Sequence, residues 1–407
     1  MSKVYFRHKS VKYIPVCMTL KKITTITYIN KPEFLYFLSY GIYLIYTLLT
    51  TTFFYAFFYQ EIIYKCLILT CMFILALKEI VFKRLSNLEL IGLIICLALS
   101  LILLRRMVGQ FSLLPFFLYI YCSRDIPFEK IARFSYWLLG ILLMGVVVSA
   151  YIGIIPNYLD TLIPGRDRYY LGFTYALDSS IVVLNIMSLS LYLHRHHISL
   201  IRCLLWFVII FWFYLQTRSR LAFLMGILIL ALFYLVTKFP GILRRKWLNW
   251  GMAASFIICS TGGIFLTVMY EPTVLWMKKL NNILENRLAL GKNALELYGY
   301  KLLGMRIQYV GNGLDISGER KTGEYNYVDC LYVSMLQKYG VLFLICFIMI
   351  LTIAMFRMYK KNKYYLLIIM TSIALRGLID NTFFPLYFNT FWLAIGPEVF
   401  RKHENIV

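Results

Sequence analysis

The sequence predicts an all-α polytopic membrane protein, on three observations. Of the 407 residues, 61% are hydrophobic and only 15% are charged, with a mean hydropathy of +0.72; a soluble domain has about 45–50% apolar and about 25% charged residues. Apolar runs of about 18 residues or more, the length that crosses a bilayer as a helix, recur along the whole chain. These runs do not alternate apolar with polar residues, as the strands of a transmembrane barrel do.

Taken in order, the runs predict about 12 spans, at 34–58, 62–81, 87–104, 107–122, 131–154, 173–193, 200–216, 219–237, 249–269, 341–356, 364–382 and 385–399. The chain divides into a basic cytoplasmic segment 1–33, nine spans over 34–269, one large extracytoplasmic loop over 270–340, three spans over 341–399 and a cytoplasmic tail 400–407. The first 33 residues lack an apolar core followed by a small-residue cleavage site, so the first span is expected to act as an uncleaved start. Connector charge tests the count. With both termini inside, the cytoplasmic segments hold 25 Lys and Arg, from Lys3 through Lys78, Arg124, Lys238 and Arg357 to Lys402. The short outside turns hold far fewer, as the positive-inside rule requires.

The net charge of +23 fits anchoring at an anionic cytoplasmic leaflet. It does not point to nucleic acid, because the sequence has no soluble basic domain to hold one. The nine cysteines show no metal-ligand spacing and sit mostly in apolar runs, where they read as small buried hydrophobes. No DxD, HExxH or Cys/His cluster supports a metal site, and no cofactor is implied.

The outside turns depart from the orientation rule in one respect. Setting aside the long loop and the within-helix Lys65 and Arg376, their basic residues are Arg105, Arg106, Arg166, Arg168, Arg218 and Arg220, all arginine. Arginine presents a planar fork of donors that fits phosphate oxygens at two points. Snorkelling to lipid head groups is the plainer reading of any one of them, but six on one face favour a shared anionic ligand.

The long loop reads as structured. Pro272 opens a helical pattern through Leu275, Trp276, Leu280, Ile283, Leu284 and Leu288. A second short stretch covers 293–298, and Leu331, Tyr332, Met335 and Leu336 share a helical face within 327–339. These amphipathic pieces are expected to lie in the interface or re-enter the protein. Buried acids are few, chiefly Asp178 and Asp380, with Glu89 near a helix end. Glu285, Glu296, Asp315, Glu319, Glu324 and Asp329 gather in the loop. All five histidines fall on the expected cytoplasmic side, so a proton acceptor outside must be a carboxylate. No internal repeat is visible, and nine spans before the loop against three after it count against a transporter of matched halves.

Several segments together resemble a known family. Gln216-Thr-Arg-Ser-Arg-Leu-Ala-Phe-Leu resembles the Ser-Arg turn that opens a central helix in the Wzy/WaaL superfamily, the polysaccharide polymerases and O-antigen ligases. Asn286-Arg-Leu-Ala-Leu-Gly resembles the Arg-bearing start of that family's large loop, and Gly311-Asn-Gly its Gly-x-Gly. Tyr327-Val-Asp-Cys-Leu-Tyr, running on to Tyr339-Gly-Val-Leu, resembles the exit from the loop. Arg166-Asp-Arg-Tyr-Tyr-Leu-Gly-Phe is similar to the loop and helix start in mid-chain, and Asp380-Asn-Thr-Phe-Phe with Asn389-Thr-Phe-Trp to the tail. The likeness covers about residues 160–395. Where the ligases carry a loop histidine this chain has Asp329, so the resemblance is nearest to polymerases of capsule, O-antigen or exopolysaccharide.

That resemblance implies a multi-pass protein of the bacterial inner membrane with glycosyltransferase activity. Its substrates would be oligosaccharides on polyprenyl diphosphate, and its partners the bilayer, a chain-length regulator and a flippase. Arg220 and Arg287 would bind the diphosphate, helped by Arg166, Arg168 and Arg218, and Asp329 would be the catalytic base, ahead of Glu324, Glu319 and Asp315. Asp329 could instead cap the helix that follows it. A ligase-like transferase to another acceptor, or a flippase, are the alternative functions.

Overall fold

The computed structural model describes residues 31–82, 86–106, 111–161, 166–320 and 322–400. In hydrocarbon a backbone can satisfy its N–H and C=O groups only within its own segment, so apolar runs wind into helices. Helix α1 covers Lys31–Leu49, α2 Glu61–Phe82, α3 Asn87–Arg106, α4 Phe116–Cys122 and α5 Phe128–Tyr151. Helices α6 (Ala176–Leu193), α7 (Leu200–Thr217), α8 (Arg220–Lys238), α9 (Lys246–Ala253) and α10 (Ser255–Val268) follow. The long loop holds α11 (Leu275–Ile283), α12 (Arg287–Tyr298) and α13 (Leu331–Lys338); α14 (Val341–Lys360), α15 (Tyr364–Arg376) and α16 (Ile395–Val399) complete the chain. Strands β1 (Leu159–Asp160) and β2 (Arg168–Tyr169) pair antiparallel, Leu159 opposite Tyr169 and Asp160 opposite Arg168.

Five helices, α5, α6, α7, α8 and α14, are long and apolar enough to cross a membrane; the pair α9–α10, bent by 58°, makes a sixth if it is one span. Trp137, Ile141 and Met144 on α5, Leu204, Leu205 and Val208 on α7, and Ile345 and Met349 on α14 are exposed. Apolar surface this extensive marks a membrane protein.

The other expected spans are shorter, broken or more polar. Helix α1 stops at Leu49, where the hydroxyls of Thr50, Thr51 and Thr52 donate back to the carbonyls of Thr47, Leu48 and Leu49. Its buried Tyr36, Tyr40, Tyr43 and Tyr46 dilute its hydropathy. Helix α2 carries Glu61, Lys65, Lys78 and Glu79. The fourth expected span, 107–122, reduces to a 3-10 turn at Phe111–Leu113 and the seven-residue α4 that begins after Pro115, with 107–110 outside the described residues. The twelfth, 385–399, becomes a 3-10 turn at Thr390–Ala394 and the short α16, because Pro385 and Pro397 remove backbone donors. Residues 386–398 are all buried, so this segment fills the bundle. Most of the N-terminal segment and of the tail, 1–30 and 401–407, lies outside the described residues. Two cations read as connector charges, Lys78 and Arg124, are instead almost fully buried with Glu79.

Helix α6 is the axle of the bundle, buried nearly all round, with α5, α7, α8 and α15 packed against it. Small and polar residues let neighbouring helices approach and bond to it. Ser180 shares a hydrogen bond of 2.8 Å with Thr217, and Asn185 donates to Tyr387 O and Thr390 Oγ1, both at 3.0 Å.

The long loop folds as the amphipathic pattern predicts, with one difference: the short stretch at 293–298 is the end of the continuous α12. The Asn281 side chain starts that helix, accepting from the N–H groups of Leu288 and Ala289 at 3.1 Å each. Gln337 on α13 donates to Ala294 O at 2.8 Å and accepts from the Tyr309 hydroxyl at 2.7 Å, tying α12, α13 and the intervening loop together. The loop meets the α13–α14 junction at Gly304 and Gly340. Both have positive φ, and a Cβ on Gly304 would fall 2.3 Å from Lys338 O.

Candidate functional site

One cavity of about 1470 Å³ is lined by all six residues singled out in the sequence: Arg166, Arg168, Arg218, Arg220, Arg287 and Asp329. They arrive from four places. Arg168 lies in β2, beside Arg166 at the foot of the hairpin. Arg218 ends α7 in the left-handed conformation (φ 52°), and Arg220 begins α8 two residues later. Arg287 begins α12, and Asp329 stands just before α13. The left-handed Arg218 costs about 1–3 kcal/mol of backbone strain. It makes the turn tight enough that Arg166 Nη2 reaches Arg218 O at 3.5 Å.

Glu285 organises three of these arginines. Its carboxylate lies 3.6 Å from Arg166, 3.6 Å from Arg220 and 3.7 Å from Arg287. Glu285 and Asn286 are consecutive residues with positive φ, 52° and 65°, in the turn between α11 and α12. One carboxylate among three guanidiniums leaves net positive charge, and none of these contacts has hydrogen-bond length. The Nε atoms of Arg166, Arg218 and Arg287 are buried without a hydrogen-bond partner among the described residues. Buried donors are ordinarily satisfied. Burial and the neighbouring Arg168 push the Arg166 pKa below its usual value, against the opposing pull of Glu285.

Asp329 sits 3.3 Å from Arg287 Nε without the alignment of a hydrogen bond. Its capping role is not observed: Cys330 holds the N-cap position of α13, with no side-chain cap bond. Burial raises the Asp329 carboxyl to about 6; Arg287 opposes this, and Asp380 and Glu285 add to it. That value suits a general base near neutral pH. The other loop acids named for this role behave differently. Asp315 is exposed and accepts from Ser317 Oγ and the N–H groups of Ser317 and Glu319, which lowers its pKa. Glu319 and Glu324 are exposed and do not line the cavity.

The structure adds residues that sequence reading did not place here. Asp178 and Asp380, noted in the sequence as isolated buried acids, both line the cavity. Asp380 is held by Arg376 Nε at 3.2 Å and by the Thr382 hydroxyl, whereas the Asp178 carboxyl has no hydrogen bond or ion pair among the described residues. Asp160 and Arg320 pair at 2.9 Å, joining the hairpin to the 311–323 segment. Lys338, Tyr175, Tyr309, Tyr325 and Tyr327 also line it. Glu285 had a sequence signal in its place two residues before Arg287, and Asp380 and Tyr327 fall in segments singled out in the sequence. The side chains of Arg105 and Arg106 lie outside the described residues. Among the described residues no group of three or more His, Cys, Asp or Glu is placed to hold a metal ion.

No family model, curated protein or solved structure matches the chain.

Proposed function

We propose that this chain is a glycosyltransferase that polymerises lipid-linked oligosaccharide repeat units on the extracytoplasmic face of the bacterial inner membrane. The observation that carries the reading is the arginine cluster with its unpaired buried donors, beside Asp329, in one large cavity. Arg220, Arg287, Arg166, Arg168 and Arg218 bind the diphosphate of a polyprenyl-linked glycan. A hydroxyl of a second lipid-linked unit attacks the anomeric carbon and forms the new glycosidic C–O bond. The bond from that carbon to the diphosphate oxygen breaks, and its electron pair leaves with the lipid diphosphate. Asp329 takes the hydroxyl proton. Negative charge grows on the leaving group as the bond opens, and preorganised guanidiniums stabilise it there.

A cavity of 1470 Å³ exceeds the roughly 300–1,000 Å³ of ordinary small-molecule pockets, as an oligosaccharide pair requires. Such a wide polar cavity also suits a flippase. The structured loop supports the transferase reading, because it contributes Arg287 and Asp329, the residues that chemistry needs. A ligase-like transferase would use the same donor site with a different acceptor. The topology that goes with this function has both termini cytoplasmic and the loop outside, with a flippase and a chain-length regulator as partners. A cysteine placed at Gly318 then labels from outside the cell, and one at Lys361 only after permeabilisation.

The deciding experiment is deletion of the gene followed by analysis of lipid-linked glycans. Accumulation of single repeat units with loss of polymer is the expected result. Single units capped on another acceptor in the parent strain would favour the ligase, and units trapped on the cytoplasmic face the flippase.

A further inference from the structure

Lys338 has no part in the chemistry above. It ends α13 and lines the cavity, its ammonium 4.2 Å from the centroid of the Tyr309 ring. The cavity's paired acids are committed to arginine: Asp160 to Arg320, Glu285 to Arg166, Arg220 and Arg287, Asp329 to Arg287, and Asp380 to Arg376. No carboxylate pairs with Lys338 among the described residues. Burial lowers its pKa to about 8, so it is charged at neutral pH while its lost hydration goes uncompensated by any counter-ion.

The lysine's seat is rigid. Its carbonyl packs against Gly304, and the preceding Gln337 is bonded to Ala294 O, Gly299 O and the Tyr309 hydroxyl. Tyr309 meets Tyr327 edge to face at 5.9 Å, and Gln308 and Asn312 line the same cavity. Aromatic faces beside amide groups offer what a sugar ring needs, apolar contact for its C–H face and partners for its hydroxyls.

We propose that Lys338 and Tyr309 form a subsite for a negatively charged sugar, so that the glycan handled in this cavity is acidic. A carboxylate on one sugar of the repeat unit sits against the ammonium. A single ammonium is a compact point charge suited to a monoanion, whereas the planar arginine forks suit the diphosphate. The inference rests on the polymerase reading and names its substrate class.

One experiment separates the two. Lipid-linked glycans are extracted from the deletion strain, released by mild acid and analysed by mass spectrometry. The expected repeat unit carries a carboxylate-bearing sugar; a phosphate ester on the glycan also supports an anionic subsite and changes its ligand. An accumulated but neutral unit overturns the Lys338 inference and leaves the polymerase intact. If no unit accumulates, the polymerase reading itself falls. In complementation, Lys338→Met at normal membrane abundance should cut polymer output by roughly tenfold, about the size of one charge-assisted hydrogen bond. Lys338→Arg should restore most of it, and farnesyl diphosphate should bind both variants as it binds wild type. Undiminished polymer from Lys338→Met would refute the subsite, and if that variant fails to accumulate the mass spectrum still decides.

Discussion

The protein holds two charge clusters, one buried and one lining the cavity, built in opposite ways. Around Glu79 the ions are closed on one another. Lys78 lies 2.7 Å from one carboxylate oxygen and Arg124 2.6 Å from the other, and all three side chains are 2% exposed or less. Lys78 also donates to Cys122 O at 2.7 Å, Arg124 donates to Tyr121 O at 3.1 Å, and its guanidinium stacks 3.9 Å from the Tyr121 ring. Among the described residues of this cluster the Arg124 Nε alone lacks an acceptor. Around Glu285 and Asp329 the arginines stand 3.3–3.7 Å from their carboxylates, the buried Nε donors of Arg166 and Arg218 have no partner among the described residues, and Arg220 is 65% exposed. Buried charge that stabilises a fold closes its hydrogen bonds, because desolvation otherwise costs more than the attraction returns. Charge that lines a cavity, partly exposed and loosely paired, keeps donors available to a ligand.

That contrast predicts which cluster governs folding and which governs function. Arg124→Met leaves Glu79 buried with only Lys78, and breaking such a pair costs about 3–5 kcal/mol. The variant should lose thermal stability and abundance, while whatever protein folds keeps its affinity for farnesyl diphosphate. Normal abundance of Arg124→Met would show that the Glu79 cluster is dispensable to the fold.

Asp329→Asn should reverse the pattern, with stability held and polymer synthesis reduced by about 100- to 10,000-fold, the usual contribution of a general base. An active Asp329→Asn protein would remove the base assignment and turn attention to Asp178. The wild-type pH profile gives a second check. The carboxylate must be ionised to accept a proton, and burial places its pKa at about 6, so activity is retained above that pH and lost as pH falls through it. A flat profile between pH 5 and pH 7 would be inconsistent with this role for Asp329.

Arg287→Ala, which removes the guanidinium touching both Glu285 and Asp329, should lower polymer output by about 100- to 1,000-fold, as loss of one transition-state donor does. Arg220→Lys keeps the charge without the fork and should cost less, though still measurably. The smallest effect is expected from Glu285→Gln. Removing the one carboxylate that competes for three arginines should tighten binding of farnesyl diphosphate by roughly fivefold. Weaker binding by that variant would mean that Glu285 chiefly holds the arginines in position.

Some of this was legible in the sequence. The choice of arginine over lysine in the turns expected outside, the Arg-bearing start of the long loop, and Asp329 ahead of an amphipathic stretch singled out six residues that line one cavity. Residue type reveals chemistry, and the turn positions were fixed by where apolar runs end. The span boundaries were less legible. Hydropathy does not register the threonines that close α1, or a proline-bearing segment at 385–399 that is apolar because it is buried in protein.

By itself the sequence determined that the chain is helical and belongs in a membrane, because apolar runs of spanning length leave the backbone no other way to satisfy itself. It also supplied the inventory of cations and acids. Only the tertiary structure decided their pairing. Glu285 turns back onto Arg166 and Arg220 because two consecutive residues adopt positive φ after α11, a conformation that asparagine takes readily and glutamate seldom does. Among the described residues Lys338 has no counter-ion, because the Gly304–Gly340 contact fixes the end of α13 against a tyrosine. Asp178 and Asp380 meet at one cavity because Asn185 on α6 bonds the segment after α15 at Tyr387 O and Thr390 Oγ1. Composition limits which charges are present, but long-range packing sets which of them are satisfied and which remain open to a ligand.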